Sequence, residues 1–289
     1  MIGGTGNMLT QQYQDHITTL LHKIQEAEIV IVGGAAGMSA AAGYNWYQTD
    51  DIFLKYFKKF ADKYGIESIF YGFYHPFETR EERWAYIATL IKFVYDTEAG
   101  QTYLDLKQLL QNKDYFVITT NQDMQFSKVF PEENVSAIQG DWRYFQCSNR
   151  CHDQIYYNQE MIENMYQNIE ATRIPTELIP TCPVCGQDME PWVRSRIFLE
   201  GSSFKNELIK FQIFLMKNKH KKLLFLELGV GMMTPKFIKE PFWEMTSSLP
   251  DAFYISVNPK DAFVPREIKE RGLAINEDIA RVLQDVLEE

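Results

Sequence analysis

The stretch that decides the fold is Glu28-Ile-Val-Ile-Val-Gly-Gly-Ala-Ala-Gly-Met-Ser-Ala-Ala-Ala-Gly43. Its apolar run from Ile29 to Val32 is β-branched throughout, which is typical of a parallel strand that is buried on both faces. Small residues follow at once, and they let the phosphates of a ligand approach the backbone at the start of a helix. The stretch is not a strict G-x-G-x-x-G motif, so a close contact between helix and strand is the alternative to a phosphate site.

Further apolar strands alternate with helical segments along the chain. The pattern predicts strands over residues 115–119, 135–138, 223–228 and 252–257, and helices over 10–27, 51–64, 78–95, 102–110 and 277–287. This alternation predicts an α/β fold with a Rossmann-like, doubly wound parallel sheet. The helical block between the first two strands is longer than an ordinary crossover, so residues 50–100 are expected to form an insertion over the cofactor.

The composition is ordinary for a globular protein and excludes some classes of function. The chain has 289 residues, 45% of them hydrophobic, and a net charge of -10. Nonspecific nucleic-acid binding needs a basic surface, which this charge does not provide. No apolar run reaches the length of a membrane span, and the start lacks the features of a signal peptide. We therefore expect a cytoplasmic protein, with residues 1–7 as an expression remnant because Met8 could itself start the chain.

The four cysteines form two close pairs, Cys147 with Cys151 and Cys182 with Cys185. In a reducing compartment such pairs favour metal binding over disulfides, and tetrahedral Zn²⁺ takes four thiolates. Four protein ligands leave no open position, so the zinc is expected to be structural, in a module spanning residues 143–191. Four buried free cysteines are the alternative, and His152 is expected at the surface rather than as a ligand.

Polar or glycine residues follow the carboxyl ends of four predicted strands. They lie at residues 34–37, at 121–123, at Gln139 and at 229–231. In open α/β sheets, ligands bind along that edge. Each group alone also suits a turn, but their recurrence favours a single site.

Taken in order, these motifs resemble those of the sirtuins, which are NAD-dependent deacylases and ADP-ribosyltransferases. Ala35-Ala-Gly-Met-Ser39 is similar to the family's Gly-Ala-Gly-x-Ser, and Thr119-Thr-Asn-Gln-Asp123 is similar to its Thr-Gln-Asn-x-Asp. Gln139-Gly140 stands where the family has His-Gly. The cysteines, the segment Gly229-Val-Gly-Met-Met-Thr-Pro235 and Val257-Asn258 continue the resemblance over nearly the whole chain.

Three departures point within the family to the microbial class M sirtuins, which are linked to macrodomain proteins. Gln139 replaces the catalytic histidine, the cofactor loop reads Gly43-Tyr-Asn-Trp-Tyr-Gln48, and Pro191-Trp-Val-Arg-Ser-Arg196 follows the zinc module. The resemblance implies a protein mono-ADP-ribosyltransferase whose acceptor is a lipoylated carrier related to the glycine-cleavage H protein. It also implies a macrodomain hydrolase and a lipoate ligase in the same pathway, and a role in oxidative stress.

The glutamine at position 139 bears on the reaction. Sirtuin deacylation needs a general base, which histidine supplies near neutral pH and which glutamine, having no titratable group, does not. ADP-ribosyl transfer is less demanding on the protein, because the site has only to hold the ribose, place the leaving amide and exclude water. An NAD-dependent deacylase or delipoylase and a non-catalytic NAD sensor are the alternatives.

The resemblance implies a role for each site residue. Asn121 is expected to position the ribose, Asp123 to hold the nicotinamide carboxamide or act as an acid or base, and Gln139 to orient the ribose hydroxyls. Trp46 and Tyr47 are expected to cover the nicotinamide end, with core packing as the alternative. The full set of expected NAD contacts is Gly34, Ala35, Ala36, Gly37, Ser39, Gly43, Trp46, Tyr47, Asn121, Gln122, Asp123, Gln139, Gly229, Val230, Gly231 and Asn258.

Two arginines beyond the zinc module are candidates for contacts with the acceptor. Arg194 and Arg196 fall where the family has its acyl channel. An acidic carrier protein favours this interpretation, and solvated surface arginines are the alternative.

Overall fold

The structure, a computed structural model, describes residues 4–232 and 235–289 of the chain. The strands are β1 (Ile29–Gly34), β2 (Asp114–Thr119), β3 (Val135–Ala137), β4 (Gly140–Cys147), β5 (Ile155–Tyr157), β6 (Met189–Val193), β7 (Leu223–Leu228), β8 (Ala252–Val257) and β9 (Gly272–Ile275). The helices are α1 (Gly4–Glu26), α2 (Ala36–Ala41), α3 (Asp51–Tyr64), α4 (Ile69–Phe73), α5 (Arg80–Asp96), α6 (Gln101–Leu109), α7 (Gln125–Val129), α8 (Gln159–Gln167), α9 (Ser202–Asn218), α10 (Lys239–Ser248) and α11 (Ile279–Glu288).

The main sheet is parallel and six-stranded, in the order β3-β2-β1-β7-β8-β9. The predicted doubly wound α/β fold is thereby confirmed. Chain order reverses between β1 and β7, and ligands of open α/β sheets bind at such a point, outside the carboxyl ends of the strands. The turn that follows β1 therefore stands where a ligand is expected.

The central strand β1 is buried on both faces, as its β-branched sequence predicts. Val30 and Val32 belong to the core beneath α1, α6 and α11, while Ile29 and Ile31 belong to the core beneath α9 and α10. All four side chains are fully buried. The two helical layers thus fix β1 from both sides and hold the turn after it in place.

The sequence pattern missed several elements of the main fold, among them β9, α9 and α10. The edge strand β9 is short and only partly buried, so it lacks a continuous apolar run. In α9 one apolar face packs on the sheet, but Ile209, Ile213 and Met216 are exposed on the other side. Apolar residues around the helix obscure the 3.6-residue period on which the prediction depends.

The helices of residues 50–100 pack against the cysteine module. Side chains of α3 and α5 share one buried cluster with β4, Cys147 and Met189. Arg83 also makes two hydrogen bonds to the Glu190 carboxylate, of 2.7 and 2.6 Å. The module contains a second, antiparallel sheet in the order β5-β4-β6, running from Gly140 to Val193. The sequence-based domain boundaries, which placed the 50–100 insertion with the main sheet, stay a prediction.

Two segments of the predictions lie outside the described residues. Residues 1–3, part of the expected expression remnant, are not described, and neither are Met233 and Thr234 of the Gly229–Pro235 segment. Among the described residues, no helix is both long and apolar enough to cross a bilayer.

Glu82, in the first turn of α5, ties the insertion together. Its carboxylate accepts hydrogen bonds from Lys63 Nζ and the Tyr64 hydroxyl, both at 2.8 Å, and it closes a capping box with Thr79. Chiefly through the hydrogen bond from Lys63, the pKa of Glu82 is lowered from 4.5 to about 2. A carboxyl group whose pKa is lowered by folding stabilises the protein above its ordinary pKa and loses that effect as the pH falls towards its folded value.

We predict that Glu82→Gln lowers the melting temperature at pH 7 by about 2–4 °C, because the amide loses the charge-assisted hydrogen bond to Lys63. The deficit should shrink as the pH falls from 4.5 towards 2, where the wild-type carboxylate takes up its proton. Thermal melts of both proteins across that range measure the difference, with exposed Glu78→Gln as the matched control. A deficit that stays constant with pH would contradict the assignment.

Candidate active site

A cavity of about 560 Å³ opens at the carboxyl edge of the main sheet, beside the reversal point. It is lined by Ala35, Ala36, Gly37, Trp46, Tyr47, Ile69, Phe70, Phe73, Tyr74, Leu90, Thr120, Asn121, Gln122, Asp123, Gln139, Trp142, Val193, Arg194, Gly229, Gly231, Phe237 and Asn258. The residues come from the ends of β1, β2, β3, β7 and β8, from the insertion, from β4 and the end of β6, and from the segment before α10. One cavity therefore unites the separate groups that follow the strands in the sequence.

The turn after β1 touches the turn after β7 through backbone atoms. Gly37 N–H donates to the Gly229 carbonyl at 3.1 Å, and a Cβ added to Gly37 would lie 2.6 Å from Gly229 Cα. Gly229 also has a φ of +68°, in the left-handed region that favours glycine. Since no side chain fits between them, both turns present bare backbone to the cavity. This is the environment that a pyrophosphate group requires.

A buried polar network lies beneath Asn121. The Asn121 side-chain amide donates to the Ala35 carbonyl and to Ser39 Oγ, both at 3.0 Å, and lies 3.4 Å from the Tyr103 hydroxyl. Ser39 Oγ in turn donates to Asp123 Oδ2 at 2.5 Å. The amide of Asn121 is thus fixed by three partners, with its orientation set before any ligand binds. Sequence reasoning missed Tyr103, which comes from α6 and follows no strand.

Asp123 is only 6% exposed, and it has no basic side chain as a direct hydrogen-bond partner. Burial raises the pKa of its carboxyl group, while the hydrogen bonds from Ser39 and from the Gln125 backbone N–H act in the opposite direction. The carboxylate therefore acts through Ser39 and Asn121, as an anchor of the network.

Gln139 is held through its backbone. Its carbonyl accepts from Gln122 Nε2 at 2.9 Å and from Arg194 N–H at 2.8 Å. The side chain lines the cavity, and no protein hydrogen bond restrains its amide within the part of the chain that the structure describes. The amide is therefore available to a ligand, either as a donor or as an acceptor.

Aromatic side chains form the other end of the cavity. Phe73 meets Trp142 edge to face, with ring centroids 5.0 Å apart, and Phe70 lies 5.0 Å from Tyr74 and 4.9 Å from Tyr47. Sequence reasoning named Trp46 and Tyr47 but missed Phe70, Phe73, Tyr74, Trp142 and Phe237. The spacing of the aromatic residues at 70, 73 and 74 was the available signal, since these positions share one face of a helix.

Some of the expected cofactor residues do not line the cavity. Ser39 and Val230 are buried beneath it, and Gly34 lies against the ring of Phe126. Gly43 has a φ of +89° and open space around its Cα. The other expected contacts all line the cavity.

Arg194 and Arg196 lie in different places. Arg194 lines the cavity and forms an ion pair with Glu200, and its guanidinium lies 4.3 Å from the ring centre of Phe198. Arg196 is exposed and lines a neighbouring surface cavity, which Arg194 also borders. Only Arg194 is therefore placed to reach both cavities.

The four cysteines come together as a metal site. Their sulfurs all lie within 4.8 Å of one another, with 3.5 Å between Cys147 and Cys185 and 3.6 Å between Cys151 and Cys182. Tetrahedral zinc with Zn–S bonds of about 2.3 Å requires sulfurs roughly 3.8 Å apart, so the cluster fits Zn²⁺. His152 is partly buried beside the cluster, and its Nε2 lies 2.7 Å from the Tyr156 hydroxyl.

Comparisons with known proteins identify the family. The fold is similar to that of a Sir2 homologue solved with NAD, with a TM-score of 0.61 and 15% identity over 94% of this chain and 92% of that one. The chain is 34% identical over 285 residues to a protein ADP-ribosyltransferase of Staphylococcus aureus (strain Mu50 / ATCC 700699), covering 97% of this chain and 90% of the relative. The chain belongs to the sirtuin-type protein ADP-ribosyltransferases.

A second relative is longer than this chain. A probable bifunctional ADP-ribose hydrolase/ADP-ribosyltransferase of Fusarium oxysporum f. sp. cubense is 29% identical over 280 residues. The match covers 92% of this chain and 46% of that protein. No family model matches the chain.

As a sirtuin-type ADP-ribosyltransferase, this protein uses NAD, and the cavity suits that molecule. The bare backbone of Gly37 and Gly229 leaves room for phosphate groups, the amide of Asn121 is fixed at the lining, and the aromatic residues provide apolar walls. The four thiolates provide a closed zinc site away from these residues, which is structural because it leaves no open position.

We predict that the purified protein holds about one zinc ion per chain and that Cys182→Ser abolishes this stoichiometry, because tetrahedral coordination needs all four thiolates. Metal analysis measures the content, and hydrogen exchange should show lost protection across residues 140–193. Ser148→Ala, next to a ligand but not one itself, is the matched control. Full zinc content in the Cys182→Ser variant would exclude the four-sulfur site.

We predict that Asp123→Asn reduces turnover of NAD by about 100-fold, because the changed hydrogen bond to Ser39 misplaces the Asn121 amide. The variant should nevertheless be no less stable than the wild type at pH 7. Burial raises the pKa of Asp123, so ionisation begins to disfavour folding once the pH exceeds the ordinary value of 3.8, and this effect is complete above the raised value. Any gain in melting temperature should therefore diminish towards pH 4.

Steady-state kinetics and thermal melts test both parts, with Asp114→Asn at the exposed start of β2 as the control. An active variant, or one that is destabilised at pH 7 more than at pH 4, would contradict the role given to Asp123.

Proposed function

We propose that this NAD-dependent transferase moves ADP-ribose onto a carrier protein that bears a lipoyl arm, related to the glycine-cleavage H protein. The observation that carries the proposal is the union, in one cavity, of the amides of Asn121 and Gln139 with a wall of aromatic side chains. An acceptor must bring a nucleophile next to the amides while its apolar part lies along the aromatic wall.

The polar part of the cavity suits glycosyl transfer. The reaction breaks the bond between ribose C1′ and nicotinamide and forms a bond from C1′ to the acceptor nucleophile. Asn121, with its amide fixed by Ala35 and Ser39, places the ribose, and the unrestrained amide of Gln139 orients its hydroxyls. Positioning of this kind and exclusion of water account for large rate enhancements without a proton acceptor.

The cavity supports transfer better than deacylation. Within the described part of the chain, no histidine lines it. Asp123 lines it but is only 6% exposed, and its carboxylate accepts the hydrogen bond from Ser39. A deacylase needs a base that takes a proton from a ribose hydroxyl, and loss of such a base costs about 10²–10⁴-fold in rate. The residues that remain favour an acceptor whose nucleophile needs no strong base.

The aromatic wall favours a long, sulfur-bearing arm. Phe70, Phe73 and Trp142 line the cavity together with Tyr74. Contacts between sulfur and aromatic rings contribute about 0.3–1.5 kcal/mol each, which a plain acyl chain does not gain. Arg194 adds a cation at the border of the neighbouring surface cavity, and a cation there favours an acidic carrier.

The same chemistry suggests partners for the pathway. A lipoate ligase would attach the arm, and a macrodomain hydrolase would remove the ADP-ribose. The name of the Fusarium relative joins a hydrolase to a transferase in one protein, of which this chain spans 46%. Because a lipoyl arm is redox-active, we further propose a cytoplasmic role in oxidative stress.

We predict that the protein transfers label from NAD to the lipoylated carrier, with much weaker transfer to the carrier without its arm. Asn121→Ala and Gln139→Ala should each reduce the transfer by about 100-fold, since both amides position the ribose. Gln111, which is exposed in the turn after α6, provides a matched control as Gln111→Ala. The measurement uses labelled NAD and both forms of the carrier, followed by mass spectrometry of the product.

Each alternative predicts a different result. Release of O-acyl-ADP-ribose by the wild type, increased by Gln139→His, would support the deacylase or delipoylase. NAD binding without label transfer to any carrier would support the sensor. Transfer that is equal with and without the arm would exclude the lipoyl group as the recognised feature.

A further inference from the structure

Glu227 on β7 and Lys239 at the start of α10 form an ion pair inside the protein. Both side chains are fully buried, and Lys239 Nζ lies 2.7 Å from Glu227 Oε1. The carboxylate also accepts hydrogen bonds from the Tyr254 hydroxyl and from Ser256 Oγ. Both oxygens of the buried Glu227 carboxylate are thereby hydrogen-bonded, so the pair is an ordered part of the fold.

Stability alone does not explain this pair. Removing two charges from water costs several kcal/mol for each ion, by order of magnitude, and their attraction offsets that cost only in part. Apolar residues surround the site, with Ile238 and Phe242 on either side of Lys239 and both fully buried. Apolar side chains in place of the pair would fill the same space at similar stability. Stability alone therefore does not account for a buried ion pair of this kind.

Lys239 makes a third contact, which leads towards the cavity. Its Nζ donates to the carbonyl of Asp261 at 3.1 Å. The Asp261 carboxylate accepts from Met232 N–H at 3.3 Å, and Asp261 N–H donates to Asn258 Oδ1 at 3.0 Å. The ammonium group is thus connected to the loop at residues 229–232 and to the loop at 258–261.

These two loops follow neighbouring strands and close one end of the cavity. Asn258 Nδ2 donates to the Val230 carbonyl at 3.2 Å, which joins the loops directly. Gly229, Gly231 and Asn258 line the cavity. The ion pair itself does not line it. It is connected to both loops through Asp261.

We propose that Lys239, held by Glu227, is a positioning residue for NAD. The pair fixes the spacing of the two loops and so the affinity for the adenosine half of the molecule. The inference rests on the proposed function, and it assigns the adenosine half to the end of the cavity lined by Gly229, Gly231 and Asn258. It does not depend on the identity of the acceptor.

The test removes both charges at once, so that no isolated charge is left in the core. We expect the double variant Glu227→Gln/Lys239→Met to raise KM for NAD about tenfold with kcat changed less than about twofold, because small displacements of binding groups weaken binding. Inhibition by AMP should weaken by the same factor as NAD binding. Inhibition by nicotinamide should be unchanged, since it reports on the other end of the cavity.

The control is Thr246→Val, a change at another fully buried position of α10. Thr246 donates to the Phe242 carbonyl at 2.7 Å and has no link to either loop. We expect this variant to retain the wild-type KM. An equal rise in KM in the control, an unchanged KM in the double variant, or a parallel loss of nicotinamide inhibition would each overturn the proposal.

A second variant keeps the proposal testable if the double variant does not fold. Asp261→Ala removes the acceptor for Met232 N–H and leaves the buried pair in place. The loops at residues 229–232 and 258–261 should then lose the hydrogen bond through Asp261. KM for NAD should therefore rise and inhibition by AMP should weaken, as in the double variant. An Asp261→Ala protein with the affinities of the wild type would contradict the route from Lys239 to the cavity. The affinities for NAD and AMP are also measured by calorimetry without any carrier, so failure of the lipoyl proposal would remain separate.

Discussion

The backbone contact between Gly37 and Gly229 is the constraint on which the rest of the site depends. It brings the turn after β1 against the turn after β7, with a spacing that leaves no room for a Cβ atom. Because β1 is central in the sheet and buried by helices on both faces, neither turn can withdraw without moving the core. The position of the cavity floor is therefore set by the packing of the whole fold.

The polar groups around this contact are held by hydrogen bonds to the same two turns. Asn121 reaches back to the Ala35 carbonyl in the turn after β1, and Asn258 reaches to the Val230 carbonyl in the turn after β7. Each amide thus ties one strand end to the neighbouring turn. A buried amide with its partners satisfied adopts one orientation, since leaving a buried donor unpaired costs about 1–3 kcal/mol. The sheet fixes where Asn121 and Asn258 lie, and these hydrogen bonds fix how their side-chain amides are oriented.

The sequence predicted the parts of this arrangement that depend on local patterns. The strand at Ile29–Val32, the four thiolates and the polar groups after strand ends are continuous or regularly spaced in the chain, so periodicity and spacing find them. Phe73 and Trp142 reach the site from α4 and β4, and their positions depend on how the insertion packs on the cysteine module, whereas Tyr103 of α6 packs in the core on one face of the main sheet. The spacing of residues 70, 73 and 74 indicates one aromatic face, but no local pattern tells which residues this face or Tyr103 contacts. The link from Lys239 to Asp261 is of the same kind, since it joins residues of α10 and a distant loop.

The replacement of a titratable side chain at position 139 has a consequence for the whole site. Where a general base is present, proton transfer contributes separately to the rate, so less accurate positioning of the reactants is tolerated. Here the Asp123 carboxylate is only 6% exposed and accepts the hydrogen bond from Ser39, and Gln139 has no titratable group. The catalytic effect must then come from where the ribose, the leaving group and the acceptor are held. That requirement explains why polar groups are buried beneath the cavity floor, although their desolvation is costly. The floor itself consists of bare backbone. In place of an acid–base residue, the fold supplies accurate positioning of the reactants, and this positioning depends on the contact between Gly37 and Gly229.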